Sequence, residues 1–190
     1  PLWGLSPLVR MLVTRPEAEA GETAARLAAL DIEATISPLL CYEALPASLP
    51  DPKGFAALAL TSANALRALE ERQVLAQFNG LQVFAVGDRT AERARACGFT
   101  RVEAASGTLG DLVERLAHAK PSGPVFYPAG RELSGDLAKS LAPYGVMVIT
   151  TRVYAMNPTT ELPATVIGDL ETGAIEAALF YSRRTADTFA

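Results

Sequence analysis

Leu58-Ala59-Leu60-Thr61-Ser62-Ala63-Asn64-Ala65-Leu66 is the stretch whose reading decides the fold. An apolar run stops at Thr61-Ser62, and a helix-forming run, Ala65-Leu66-Arg67-Ala68-Leu69-Glu70, starts at once. The pattern predicts a buried strand, a tight turn of hydroxyl and amide side chains, and a helix N-terminus. Backbone N–H groups and the positive end of the helix dipole meet at such a turn, which suits an anion. Thr61, Ser62 or Asn64 would equally serve as an ordinary cap of its own helix.

Turns of the same kind recur along the chain. Met11-Leu12-Val13 reads as a strand ended by Thr14-Arg15-Pro16, followed by a helix over Glu17–Leu30 with Ala20, Ala24, Leu27 and Ala28 on one face. Ile32–Ile36 alternates like a second strand. Leu81–Val86 is a strand ended by Gly87-Asp88-Arg89-Thr90, with a helix over Ala91–Cys97 stopped by Gly98. Val102–Ala104 is a short strand, and Gly107-Thr108-Leu109-Gly110 leads into a helix over Asp111–Ala119. Val125-Phe126-Tyr127 is a strand with Pro128-Ala129-Gly130-Arg131 as its turn, then a helix over Glu132–Leu141 and a strand Val146–Ile149. A short helix runs from Ala164 to Leu170. Ala177–Tyr181 is a strand, Ser182-Arg183-Arg184-Thr185 its turn, and a helix starts at Ala186.

Strands that alternate with helices imply parallel sheets covered on both faces. Two extended segments bounded by proline, 38–46 and 150–158, bracket the middle of the chain. The expected fold class is therefore α/β, with two parallel-sheet βα domains, one inserted in the other. Residues 47–149 form the inserted domain, 11–37 plus 159–190 the outer one, and 38–46 and 150–158 the linkers. Two crossings make a hinge, and a cleft between domains is a usual place for a ligand. The chain also resembles itself. The unit that opens at Leu12 matches the unit that opens at Val125, and Leu58–Ala65 matches Leu179–Ala186. Unit Val83–Val102 has no second copy. The repeat therefore leads us to expect roughly 40–60 further residues in the complete architecture, on the usual length of βα units.

Composition narrows the function. Hydrophobic residues make up 49% and charged residues 20%, which gives ample core for a globular fold. A net charge of −4 argues against a general nucleic-acid or membrane-surface role. No apolar run approaches the ~20 residues of a spanning helix, and Pro1–Arg10 carries no targeting pattern. Two cysteines, Cys41 and Cys97, make no disulfide framework; they are expected to be buried thiols in a reducing cytoplasm. The single His118 lies in a helical run, and no His or Cys cluster suggests a metal.

Ligands of parallel sheets bind beyond the carboxyl ends of the strands, where all these turns lie. Most carry a hydroxyl and an arginine, so Arg15, Arg89, Arg131, Arg183 and Arg184 gather at one rim of an acidic chain. Helix N-termini with arginine suit carboxylates or phosphates, although any one of these arginines could be a solvated surface charge. There is no phosphate-binding P-loop, Gly-x-Gly-x-x-Gly, Gly-x-Ser-x-Gly or metal motif. Tyr154, on the second extended segment, is the most suitable proton donor. It could equally be a half-buried tyrosine packed on Val153 or Tyr42.

Leu12-Val13-Thr14-Arg15-Pro16, Thr61-Ser62-Ala63-Asn64-Ala65, Ala85-Val86-Gly87-Asp88-Arg89-Thr90-Ala91 with Gly98, Gly130-Arg131-Glu132, Val153-Tyr154 and Phe180-Tyr181-Ser182 carry a resemblance. In order and spacing they resemble the uroporphyrinogen-III synthase family over nearly all of Met11–Ala190. The resemblance implies two α/β domains joined by a two-stranded linker, in chains usually longer than this one. It implies a cytoplasmic enzyme of tetrapyrrole synthesis that dehydrates the linear tetrapyrrole hydroxymethylbilane. The ring then closes with inversion of the last pyrrole through a spiro intermediate. No cofactor and no metal are implied. By the same match Tyr154 is the general acid, and Thr61, Ser62, Asn64, Gly87, Thr90 and Ser182 bind substrate carboxylates, joined by Thr14, Arg15 and Arg131. Ser182-Arg183-Arg184 is more basic than the family pattern. The two turns at Thr61 and Ser182 are expected to face each other across the cleft. A monomer is expected, with a transient contact to the preceding pathway enzyme and no nucleic-acid or membrane partner. The alternative reading is a non-catalytic two-domain binding or sensor module for an anionic ligand.

Overall fold

The computed structural model describes residues 9–190. In chain order the elements are β1 (Arg10–Val13), α1 (Glu17–Ala28), β2 (Glu33–Ile36), β3 (Leu40–Ala44), β4 (Ala57–Leu60), α2 (Ala63–Glu71), β5 (Gln82–Ala85), α3 (Asp88–Ala96) and β6 (Val102–Ala104). They continue with α4 (Leu109–Ala119), β7 (Val125–Gly130), α5 (Leu137–Leu141), β8 (Val148–Pro158), α6 (Ala164–Glu171), β9 (Ala177–Leu179) and α7 (Arg183–Phe189). The chain divides into two compact units. One is Glu43–Ala155; the other combines Met156–Ala190 with the described residues up to Tyr42. Among the described residues no helix is long and apolar enough to cross a membrane.

The terminal unit holds a three-stranded parallel sheet in the order β2-β1-β9. Alternation along β1 sends Leu12 to one face, with Val166 and Ile175, and Val13 to the other, with Ala20 and Leu27. Burial of both faces is what a parallel sheet requires. The central unit belongs to a six-stranded sheet in the order β3-β8-β7-β4-β5-β6, with β8, β7, β4, β5 and β6 parallel. Its two middle strands, Ala57-Leu58-Ala59-Leu60 and Val125–Gly130, are buried throughout. On one face Ala57, Ala59, Val125 and Tyr127 pack with Leu112, Leu116, Leu137 and Leu141. On the other, Phe126 meets the rings of Phe55 and Phe78 at centroid distances of 5.3 and 5.4 Å.

The two sheets share a module. β2-β1-β9 and β8-β7-β4 are each built from a βαβ pair plus one later or earlier strand, in the same spatial order and all parallel. These are the segments whose sequences match, so the repeat has a topological counterpart. The match crosses over: β1 takes its neighbour β9 from late in the chain, whereas β7 takes β4 from before it.

Three details differ from the sequence reading. β7 runs on through Pro128 to Gly130, where a turn was expected. α5 starts only at Leu137, with Asp136 accepting the Lys139 N–H at 3.0 Å as its cap. β8 is one continuous strand of 11 residues over ground read as a strand plus an extended segment. The thiols also differ from expectation: Cys41 is exposed and Cys97 half-buried. Cys97 closes α3 and donates to Glu70 Oε1 of α2 at 3.4 Å, a carboxylate that also pairs with Arg93.

Phe126 joins strand and loop aromatics on one face, so Phe126→Ala is expected to cost about 3–5 kcal/mol by transfer and cavity terms. Urea unfolding followed by far-UV circular dichroism checks this.

Candidate active site

The turn after β4 is where the central unit gathers its polar groups. Ser62 has extended backbone, and its Oγ accepts the Asn64 N–H at 3.2 Å, which caps α2. This satisfies one N–H of the first turn and leaves the positive helix end at the mouth of the turn. Thr61, one residue earlier, shares a hydrogen bond of 2.9 Å with the Tyr127 hydroxyl of neighbouring β7. Tyr127 is 2% exposed, and burial pushes its phenol above the ordinary range, with the Thr61 bond pulling the other way.

Tyr154 enters the same place from β8. Its register against β7 slips: Ala129 faces Arg152, but Gly130 faces Tyr154. The extra residue, Val153, makes a bulge, and Val153, Tyr154 and Ala155 are all buried in succession. A bulge re-aims the side chains that follow it. Here it lays the Tyr154 ring against Gly130, where an added Cβ would stand 3.0 Å from Cζ and 3.1 Å from the hydroxyl oxygen. A side chain there would push the ring aside by a few tenths of an ångström. The Arg131 N–H donates to the Tyr154 carbonyl at 2.8 Å and fixes the backbone beside it. The Tyr154 hydroxyl is hydrogen-bonded to Ser62. Burial raises its ionisation above the ordinary range, the Ser62 bond opposes this, and Tyr127 and the Glu132 carboxylate add to the rise. The phenol therefore keeps its proton throughout neutral pH.

The remaining candidates of this unit lie at the ends of β5 and β7, the strands that flank β4. Gly87 precedes α3 at the end of β5 and stands close to Gly107, whose Cα would be 3.4 Å from an added Cβ. Thr90 is buried in the first turn of α3. Arg131 pairs with Glu43 at 3.8 Å, both half-exposed, which in water is worth little. Sequence reasoning did not single out Tyr127 or Glu43, and it named Gly130 and Glu132 only as part of the Gly130-Arg131-Glu132 marker and its turn, without a role. Tyr127 was legible in principle, as a tyrosine closing an otherwise apolar strand.

The sequence model of Uroporphyrinogen-III synthase HemD matches residues 21–190 of this chain. The chain belongs to the uroporphyrinogen-III synthase family. Its fold is similar to two solved structures. Uroporphyrinogen-III synthetase from Helicobacter pylori aligns with a TM-score of 0.64 and 19% identity, over 96% of this chain and 77% of that one. A mutant uroporphyrinogen III synthase from Thermus thermophilus aligns with a TM-score of 0.62 and 18% identity, over 95% and 75%.

In this synthase-family chain the candidates of the terminal unit lie at the ends of β1 and β9. Thr14 is fully buried, and its hydroxyl donates to the Leu179 carbonyl at 2.6 Å. It ties two strand ends together. The Arg15 guanidinium bonds Glu19 Oε2 at 3.0 Å, reaches Thr23 at 3.4 Å and lies 4.2 Å above the Tyr181 ring. Ser182 is exposed and caps α7, accepting the Thr185 N–H at 3.1 Å. Ser182 and Ser62 therefore do the same local work in the two units. Thr61, Ser62, Asn64, Arg131 and Tyr154 are brought together in the central unit. Thr14, Arg15 and Ser182 form a second group in the terminal unit.

Two of the five tyrosines, Tyr127 and Tyr154, ionise above the ordinary phenol range. In the unfolded chain both lose their protons near pH 10 while the folded chain still holds them, so stability falls as pH rises past about 10 and is unaffected below. Absorbance titration at 295 nm is expected to show two late-ionising phenols, one lost in each single Tyr→Phe variant.

Proposed function

We propose that the chain dehydrates and cyclises hydroxymethylbilane to uroporphyrinogen III, inverting the terminal pyrrole, with Tyr154 as general acid. The observation that carries this is the Tyr154 phenol held against Gly130 and bonded to Ser62, at the mouth of a helix N-terminus, in a member of this family. The Ser62 oxygen already accepts from the Asn64 N–H. Its own hydrogen is then available to the Tyr154 oxygen.

The substrate's hydroxymethyl carbon carries the leaving hydroxyl. As the C–O bond breaks, the phenol gives that oxygen its proton and water departs. The electron pair of the adjacent pyrrole nitrogen stabilises the resulting cation. The phenolate formed beside it is bonded to Ser62 and lies against a positive intermediate, which offsets the burial that disfavours its charge. Ring closure and the later loss of a proton from a pyrrole carbon return that proton to Tyr154, so the net change is the loss of one water. Because the pyrroles supply most of the driving force, the protein's larger task is to hold the two ends in place.

Thr61, Ser62, Asn64, Gly87, Thr90 and Arg131 are proposed to bind substrate carboxylates through hydroxyls, backbone N–H groups and charge. Arg15 and Ser182 are proposed as binding residues of the terminal unit, where Thr14 holds the strand ends. We further propose that 47–149 forms a domain inserted in 11–37 plus 159–190, with 38–46 and 150–158 as the two strands of a linker.

Supplied with hydroxymethylbilane, the protein is expected to yield the type III isomer, separated from the spontaneous type I isomer by chromatography. Tyr154→Phe is expected to lower kcat roughly hundredfold or more, the range of general acid catalysis, while product binding changes little. Tight product binding with only type I formed would favour the binding-module reading.

A further inference from the structure

Tyr127 lies one strand further in than Tyr154 and has no route to a ligand: it is 2% exposed, on the face packed by Leu112, Leu116, Leu137 and Leu141. Its hydroxyl is nevertheless not idle. Among the described residues its one hydrogen-bond partner is the Thr61 hydroxyl, at 2.9 Å. Two hydroxyls bonded to each other have two possible polarities, and burial decides between them. If Thr61 donated, the Tyr127 O–H would be left inside the protein with nothing to accept it, which is costly for a buried donor. If Tyr127 donates, its hydrogen is satisfied, and the Thr61 hydrogen is left over. Thr61 is only partly buried and stands at the open end of β4, so that hydrogen meets solvent or a ligand at no cost.

We propose that Tyr127 is a positioning residue that fixes Thr61 as an outward-facing hydrogen-bond donor for a carboxylate of the substrate. This rests on the reading of the turn as part of a polycarboxylate site. Two phenols from neighbouring strands then arrange two consecutive hydroxyls of one turn. Tyr154 bonds Ser62 and works on the leaving oxygen; Tyr127 bonds Thr61 and works on binding. A threonine hydroxyl with no such partner divides its time between donating and accepting. An acceptor pointed at a carboxylate repels it. The Tyr127 hydrogen bond excludes that orientation before the ligand arrives, which is pre-organisation rather than an extra contact.

The test uses Tyr127→Phe, Thr61→Val, both together, and Thr61→Ser, in the whole chain. Two readouts are taken: steady-state kinetics on hydroxymethylbilane, and the thermal midpoint without ligand. Tyr127→Phe is expected to raise KM about threefold to tenfold with kcat within about twofold. Thr61→Val is expected to raise KM at least as far, and the double variant no further. Thr61→Ser, which keeps the hydroxyl, is expected to raise KM less than Thr61→Val does. Without ligand, Thr61→Val strands the buried phenol hydrogen and lowers the midpoint by about 5 °C; adding Tyr127→Phe removes that donor and restores most of the loss. Wild-type KM in Tyr127→Phe, KM effects that multiply in the double variant, or a double variant less stable than Thr61→Val would each overturn the proposal. A wild type that turns over no hydroxymethylbilane sinks the functional reading instead, and the ligand-free midpoints still decide the polarity on which the proposal stands.

Discussion

β4 and β7 are covered on both faces, and this constraint shapes everything around them. A strand with no wet face can carry no polar side chain along its length without a partner. Leu58, Leu60, Val125 and Phe126 accordingly leave no polar atom in the middle of the sheet. The polar groups appear where the strands end, and in a parallel sheet all strands end on the same side. Thr61, Ser62, Tyr127 and Tyr154 are thus neighbours because the sheet has nowhere else to put hydroxyls. The same packing that stabilises the unit concentrates its chemistry at one edge.

The bulge in β8 is the second requirement. Were Val153 paired in regular alternation instead of bulging, Tyr154 would share the face of Arg152, which is exposed. With the bulge, the ring turns in onto Gly130. The glycine leaves the space and the Arg131 N–H holds the strand. Position and protonation of the phenol thus have one origin, since the burial that fixes the ring also keeps the proton on it.

Much of this was written in the sequence, for reasons that can be named. The break from Leu60 to Thr61-Ser62, followed by alanines and leucines, marks a strand end and a helix start because hydroxyls cap and alanine propagates. The caps formed where that chemistry put them, at Ser62 and Ser182. Pro128 misled the reading, since proline normally ends a strand. It lies beyond the last β7 residue paired with β4, at Phe126, and so occupies an edge position that tolerates a missing N–H. Glu132-Leu133 looked helical, but Ser134-Gly135-Asp136 delays the start to a proper cap. The bulge was illegible. It depends on the register of two strands, and no local pattern in Arg152-Val153-Tyr154 announces it. Tyr127 stood out as a tyrosine in an apolar strand, but its role did not, because that is set by a residue 66 positions away.

The Cys97–Glu70 contact has a consequence for handling the protein. Partial burial, and then the bond to the Glu70 carboxylate, push the thiol's ionisation up to about 11. At neutral pH the thiolate, the species that alkylating reagents attack, is therefore scarce there. Cys41, by contrast, is exposed on β3. Nature has thereby left the chain with one addressable sulfur, at a known point of an edge strand, and a fluorescent or spin label can be attached to it without first removing the other.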